Sequence, residues 1–186
     1  MKSISAVLFL SLFLTVIVSK LNAQENFEVD AKIGCGYYVF SDWESKVGLA
    51  ADLNLGWQAN RNCFGLTFSY YNQTFLFYDI TYLNEHFASG VYYARQLAVR
   101  PKSDLRLGLA ISIGLGNYWE NFYTYGMVNR KYEAALAPKV FISGHYYFTN
   151  HLALSYEAGL RFVTVGYVQL NGELILAPMG GLTYIF

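Results

Sequence analysis

Hydrophobic and polar residues alternate with a period of two over most of this chain. Large side chains occupy every second position over 47–57, and mostly Gly, Ala, Asp and Asn lie between them. The same alternation covers 105–115 and 152–162. Successive residues of a β-strand point to opposite faces, so each stretch predicts a strand with one large apolar face and one small or polar face.

Weaker alternation covers much of the remaining chain and brings the predicted total to eight strands. These further stretches are 27–40, 64–73, 87–99, 132–148 and 173–186. Most predicted strands have about 10–15 residues, whereas strands of globular proteins usually have about 5–6. A tilted strand that crosses a membrane needs about 9–11 residues. The lengths therefore favour membrane-crossing strands.

The connectors between the predicted strands alternate in length. Those at 60–61, 100–104 and 149–151 are short, whereas those at 74–86 and 117–131 are long. Short turns at one end and long loops at the other are typical of an outer-membrane barrel with both chain ends in the periplasm. The connector lengths therefore predict an up-and-down antiparallel topology.

The Asn60-Arg61 turn predicts a specific register for its hairpin. It pairs Trp57 with Phe64 on the large face and Gly56 with Gly65 on the small face. A slip of one residue would exchange the two faces, so agreement between two separately identified strands supports this pairing.

Residues 1–23 predict a secretory signal peptide, which leaves 24–186 as one barrel domain. Lys2 precedes an apolar run at 6–18, and Ala23 is the small residue before the expected cleavage site. An uncleaved anchor is disfavoured because this run is shorter than the ~20 residues of a spanning helix. Cleavage would remove Lys2 and Lys20, so the 13 basic and 13 acidic residues of the full chain become 11 basic and 13 acidic residues in the mature chain.

The composition decides between two barrel architectures. The chain is 54% hydrophobic and only 14% charged, below the quarter that is ordinary for soluble domains. A soluble lipocalin-like ligand carrier needs a charged exterior, but the small face here carries mostly Gly, Ala, Ser and Asn. The predicted fold is therefore an all-β, eight-stranded transmembrane barrel. Its balanced charge gives no support for a nucleic-acid partner.

The last eight residues carry a resemblance to a known family. The alternate positions Gly180, Leu182, Tyr184 and Phe186 form one face and end on an aromatic residue. This resembles the C-terminal assembly signal of Gram-negative outer-membrane β-barrels, and the mature chain resembles their small OmpX/OmpA-type members. The resemblance implies Sec export, outer-membrane lipid and lipopolysaccharide around the barrel, and recognition by the barrel-assembly machinery. It leaves function open, because structural proteins, adhesins, pores and lipid-modifying enzymes share this fold.

Polar residues on the inward phase form the first candidate site. An eight-stranded barrel is just wide enough for side chains to fill, so opposite charges inside it are expected to pair as a plug. The alternative is a gated, narrow solute path. The predicted lumen network comprises Glu28, Asp30, Lys32, Asp52, Asn54, Arg106, Lys139, Glu157 and Arg161.

A hydrolytic triad is a second hypothesis for the same face. The 149–151 turn places His145 opposite Ser155 and Ser143 opposite Glu157. Lipid A deacylases are eight-stranded barrels that use a Ser, a His and a carboxylate, but their His-x-Ser-Asn segment is absent here. These residues also face the lumen rather than lipid. We therefore favour a protein without enzymatic activity, with a lipid-modifying enzyme as the alternative.

Aromatic residues in the two long connectors form the third candidate site, a surface for an unidentified ligand. The alternative is that the strands extend past the membrane and these side chains pack on each other. The residues are Phe75, Phe77, Tyr82, Tyr118, Trp119, Phe122 and Tyr123.

Some residues fit the pattern poorly or point to no chemistry. Arg95 falls on the lipid phase, so its side chain must snorkel or a β-bulge must shift the phase there. Pro138 and Pro178 interrupt strands, and we expect β-bulges to accommodate both. Cys35 and Cys63 fall on opposite faces and predict two free thiols rather than a disulfide. The sequence has no metal-ligand spacing and no cofactor-binding motif.

The soluble-carrier alternative has a direct test. We expect the protein in the outer-membrane fraction, with a gel mobility that changes on heating, because a closed barrel resists unfolding by detergent. A soluble protein whose mobility is insensitive to heat would contradict the membrane barrel.

Overall fold

The computed structural model describes residues 26–38, 47–77, 80–122, 127–165 and 171–186. These residues form one closed antiparallel barrel in which each strand pairs with its sequence neighbours and β1 pairs with β8. The predicted fold class is confirmed, while the expected signal peptide at 1–23 lies outside the described residues. The strands are β1 (Phe27–Tyr38), β2 (Val47–Ala59), β3 (Asn62–Phe77), β4 (Ile80–Arg100), β5 (Ser103–Phe122), β6 (Met127–Tyr147), β7 (Leu152–Val165) and β8 (Asn171–Ile185).

No helix among the described residues is long and apolar enough to cross a membrane.

The register predicted for the first hairpin is confirmed. Trp57 pairs with Phe64 and Gly56 with Gly65 across β2 and β3. Asn60 in the turn has a φ of 57°, a left-handed conformation that Asn tolerates better than most residues. Alternation and turn chemistry thus select the same pairing.

The two long loops expected at 74–86 and 117–131 were wrong. β3 and β4 remain paired up to Phe77 and Ile80, and β5 and β6 remain paired up to Phe122 and Met127. Among the described residues, 73–77 pair only with β4 and 127–134 only with β5. We call the segments 73–77, 80–84, 117–122 and 127–134 the β3–β6 extension. At ~3.3 Å per residue, it rises roughly 20 Å beyond the neighbouring strands.

The exterior of the barrel is apolar. Outward residues of β5 such as Ile111, Ile113 and Leu115 are 58–67% exposed, and every other strand with described side chains also presents large exposed hydrophobic residues. An apolar surface of this extent is unfavourable in water and matches the lipid-facing band of a membrane barrel. At the end where β1 begins and β8 ends, Tyr184 packs against Phe186 with ring centroids 4.9 Å apart.

A β-bulge lies beside Arg95, although Arg95 itself remains on the outer face. The β4–β5 register shifts between Gln96 and Ala98, immediately after Arg95. Arg95 pairs with Asn62, the first residue of β3, so it lies near the end of the barrel where β1 begins and β8 ends.

The prolines leave the register unchanged, so the bulges expected there were wrong. The described β6–β7 pairing skips Pro138, and the β1–β8 pairing skips Pro178, with the same register on both sides of each gap. A proline has no N–H to donate to a neighbouring strand. Each strand pair omits its pairing at the proline and resumes in the same register, so no bulge residue is inserted.

Close strand approach at Gly65 yields a stability prediction. A Cβ there would lie 1.9 Å from the Leu55 carbonyl oxygen, so Gly65→Ala requires backbone movement. We expect it to lower the free energy of unfolding by about 1–3 kcal/mol, measured by urea unfolding in detergent micelles.

Gly159→Ala is the control for this prediction, because its added methyl would meet neighbouring atoms no closer than 3.4 Å. Equal stability of the two variants would contradict the proposed close approach.

Candidate functional site

The lumen holds the largest concentration of charge in the described barrel. All nine polar residues predicted for the lumen network are no more than 5% exposed. The alternation of side chains along each strand accounts for their inward position, because each lies on the small or polar face of its strand. Asn54 is buried with them and, as an uncharged amide, takes no part in the ion pairs.

The middle of the lumen contains a ladder of ion pairs, which we call the central cluster. Lys139 Nζ donates to Asp52 Oδ2 at 2.6 Å and also to Glu157 Oε1. Lys32 Nζ donates to the other Glu157 oxygen at 2.8 Å and to Asp30 at 2.5 Å. Glu157 therefore joins a lysine from β1 to a lysine from β6.

Arg161 and two aromatic rings complete the central cluster. Arg161 donates to both carboxylate oxygens of Asp52 at 3.1 and 3.2 Å. Its guanidinium lies 4.2 Å from the ring centroid of Tyr71, and Lys139 Nζ lies 4.7 Å from that of Phe141. These ring faces favour a nearby cation and replace part of its lost hydration.

A second group of ion pairs, the Arg106 cluster, surrounds Arg106 toward the end of the barrel where β1 begins and β8 ends. Arg106 Nη1 donates to Glu28 at 2.6 Å, and its Nη2 lies 2.9 Å from Asp104. His145 Nδ1 lies 2.7 Å from the other Asp104 oxygen, and Tyr147 donates its hydroxyl to Asp104 at 2.9 Å.

Asp30 joins the two clusters. One of its oxygens accepts hydrogen bonds from Ser155 at 2.7 Å and Thr183 at 3.0 Å. The other oxygen contacts Lys32 of the central cluster and lies 3.9 Å from His145 Nε2. The buried polar groups thus form one network across the lumen rather than two separate plugs.

The charges of this network nearly cancel. Five carboxylates (Glu28, Asp30, Asp52, Asp104 and Glu157) face four cations that carry a permanent charge (Lys32, Arg106, Lys139 and Arg161). His145, between two of these carboxylates, supplies the fifth positive charge when it is protonated. Because an unpaired buried ion is costly, this balance is the condition for placing so many ions in a closed barrel.

Sequence reasoning missed Asp104 and assigned His145 another role. We placed Asp104 in the β4–β5 turn, although it precedes Arg106 by two residues and therefore shares its inward phase. The cross-strand pairs His145–Ser155 and Ser143–Glu157 occur as predicted. However, His145 binds Asp104, and Glu157 binds Lys32 and Lys139, so the described contacts do not assemble the proposed triad.

The other predicted sites are placed only in part. Phe75, Phe77, Tyr82, Tyr118, Trp119 and Phe122 lie in strands of the β3–β6 extension, where the structure describes the backbone but not their side chains, and Tyr123 lies outside the described residues. Gly180, Leu182, Tyr184 and Phe186 all lie at or near β8, and the first three are exposed on its outer face.

Thiols and metal ligands add no further site to the described region. Cys35 is exposed and Cys63 is buried, and both are free. Cys63 Sγ lies 3.2 Å from Glu28 and 3.3 Å from the Tyr92 hydroxyl, beside the Arg106 cluster. Within the described residues, no group of three or more His, Cys, Asp or Glu side chains is arranged to hold a metal ion.

An apolar exterior, a paired polar lumen and a closed sheet of eight antiparallel strands together define a class. The chain has the fold of the small outer-membrane β-barrels. Its polar groups face inward and its hydrocarbon-like surface faces outward, the inverse of a soluble barrel.

Comparison with solved structures supports this class. The chain is similar to Ail, the attachment invasion locus protein of Yersinia pestis, with a TM-score of 0.59 and 11% identity over 88% of this chain and 100% of that one. Neisserial surface protein A matches with a TM-score of 0.54 and 15% identity, over 86% of this chain and 97% of that one. The outer membrane protease OmpT from Escherichia coli matches with a TM-score of 0.50 and 10% identity, over 88% of this chain and 98% of that one. At these identities the likeness shows a shared fold.

No family model matches the sequence, and no curated protein matches it.

The central cluster generates a prediction about stability. Lys139→Met leaves Asp52 with only Arg161 and Glu157 with only Lys32 as cationic partners. We expect this change to lower the free energy of unfolding by about 3–5 kcal/mol, measured by tryptophan fluorescence during urea unfolding.

The matched control is Lys102→Met, the same substitution at an exposed turn position. It should change stability by less than about 0.5 kcal/mol. If Lys139→Met were as stable as this control, the ion pairs would not be essential to the barrel.

Proposed function

We propose that this protein is a non-enzymatic integral protein of the outer membrane that contributes to envelope structure or surface interaction through its extracellular end. The observation that carries the proposal is the paired network across the lumen. Solute passage through the barrel would require several buried ion pairs to separate, and each separation leaves uncompensated charge. This leaves the lipid-facing wall and the two rims as the surfaces on which other molecules would act.

The β3–β6 extension supports a role at the extracellular rim. Its backbone stands clear of β2 and β7, so its outer strands are edges in the described structure, and unpaired strand edges are ready sites for contact with another chain. Its sequence is rich in aromatic residues, which are enriched at protein interfaces. An extended sheet with such residues suits a protein partner.

The charge of this region argues against a polyanionic partner. One structure of Ail is a complex with the heparin analogue sucrose octasulfate. In this chain, however, 73–86 and 117–133 contain four acidic residues against two basic ones, namely Asp79, Glu85, Glu120 and Glu133 against Arg130 and Lys131. We therefore favour a partner that presents apolar or weakly charged surface.

We further propose the surroundings and biogenesis that such a role requires. Residues 1–23 would direct Sec export and be removed before Gln24, and the outward face of 180–186 would be read by the barrel-assembly machinery. In the membrane, the apolar wall would contact lipopolysaccharide in one leaflet and phospholipid in the other.

Trimmed hairpins test the surface role. One variant replaces 74–83 with Asn-Gly, and the other replaces 118–131 with Asn-Gly, because these cuts preserve the pairs Gln73–Asn84 and Asn117–Tyr132. We expect the full-length protein to increase cell-to-cell aggregation and attachment to polystyrene, and each trimmed variant to lose at least half of that increase. Heat-modifiable mobility verifies that all variants are folded.

Three results would contradict the proposal. Equal attachment by trimmed and full-length proteins would exclude the extension as the interacting surface. A change in lipid A acylation on expression, detected by mass spectrometry, would show that the protein is an enzyme. Stepwise conductance of the purified protein in a planar bilayer would show an open path and contradict the plugged lumen.

A further inference from the structure

Exposed positive charge is concentrated at the periplasmic rim on the β3–β5 side. Arg61 lies in the β2–β3 turn, Arg95 on the outer face of β4, and Arg100 and Lys102 at the β4–β5 turn, all exposed. None of the four forms an ion pair with a carboxylate in the described part of the chain. Asp104, the nearby acidic residue, is buried and engaged by Arg106 and His145.

Arg61 and Arg95 are held next to each other by the backbone. Arg95 is the pairing partner of Asn62, which directly follows Arg61. The Arg61 carbonyl accepts a hydrogen bond at 2.7 Å from the N–H of Gln96, the residue after Arg95. This contact ties the β2–β3 turn to β4, so the two arginine backbones lie about one ladder step apart. The adjacent register shift after Gln96 separates this rim from the regular wall.

The surface on the membrane side of these arginines is apolar. Phe64 and Tyr93 form an outward cross-strand pair and are 51% and 45% exposed, and Leu107, the β5 partner of Arg95, is 46% exposed. Tyr93 donates its hydroxyl to Asn62 Oδ1 at 2.7 Å, which holds the ring against the wall beneath Arg95. Two guanidinium groups therefore stand at the polar edge of a hydrocarbon-compatible face.

We propose that Arg61 and Arg95, assisted by Arg100 and Lys102, form a binding site for the phosphate headgroup of an anionic glycerophospholipid in the periplasmic leaflet. The planar guanidinium offers paired donors that match phosphate oxygens, and clustered basic residues at a membrane surface attract anionic lipid. Phe64, Tyr93 and Leu107 would contact the acyl chains of the same lipid. The inference requires that the end with both chain termini faces the periplasm.

Native mass spectrometry of the folded protein tests this site. The protein in detergent receives equal amounts of dioleoyl phosphatidylglycerol and dioleoyl phosphatidylcholine, and the ratio of bound lipids is measured. We expect a preference for phosphatidylglycerol of about tenfold in the unaltered protein. Arg61→Gln combined with Arg95→Gln should reduce the ratio to about one.

Control variants separate the site from general charge. Arg130→Gln removes one positive charge from β6 at the opposite end and should keep the preference, and Lys102→Gln should reduce it only in part. Arg61→Lys with Arg95→Lys keeps both charges but not the planar donors and should give an intermediate ratio. If heat-modifiable mobility shows that the double glutamine variant does not fold, the lipid ratio of the double lysine variant tests the site in its place.

Three outcomes would overturn the inference. They are equal binding of the two lipids to the unaltered protein, a preference that survives both double variants, and displacement of phosphatidylglycerol by an equal amount of lipid A. Inorganic phosphate in excess should leave the bound lipid in place, because the acyl chains contribute to binding. Displacement by phosphate alone would be a fourth contradicting outcome, because it would show an anion site without a lipid site.

Discussion

The closure of β1 onto β8 is the constraint on which the rest of this structure depends. Hydrocarbon offers no hydrogen bonds, so each strand must satisfy its N–H and C=O groups against two neighbours. Eight strands meet this condition only as a ring, with Glu28 to Tyr38 of β1 paired to β8. A ring of eight encloses a lumen just wide enough for side chains. Every inward ion must therefore find its counter-ion inside this narrow lumen, either on its own strand or on another one.

This geometry explains how the network is built. Glu157 on β7 contacts Lys32 on β1 and Lys139 on β6, and Asp52 on β2 contacts Lys139 and Arg161. Two ion pairs, Lys32–Asp30 and Arg106–Asp104, join successive inward residues of one strand, but most partners come from other strands. The network therefore cross-links distant parts of the sheet, which one-sided packing of a soluble sheet would not require.

The sequence allowed prediction where a rule acts locally. Period-two alternation identified both faces of each strand, and the Asn60-Arg61 turn determined the register of its hairpin. Prediction failed where distant strands decide the outcome. The 74–86 and 117–131 segments lack clean alternation and were mistaken for loops, because they pair beyond β2 and β7, outside the closed ring whose two faces impose the alternation. His145 contacts Asp104, its cross-strand partner on β5, and lies near Asp30 on β1, and the β6–β7 hairpin alone identifies neither.

The barrel is uneven around its circumference, and both uneven features fall on the same flank. The β3–β6 extension rises at one end, and the arginines of the β2–β3 turn and β4 lie at the other end of neighbouring strands. The opposite flank, formed by β7, β8, β1 and β2, has shorter strands. The two flanks of the barrel, β3–β6 and β7–β2, therefore present different surfaces within the plane of the membrane. A neighbour that diffuses in two dimensions would meet two different surfaces according to its direction of approach.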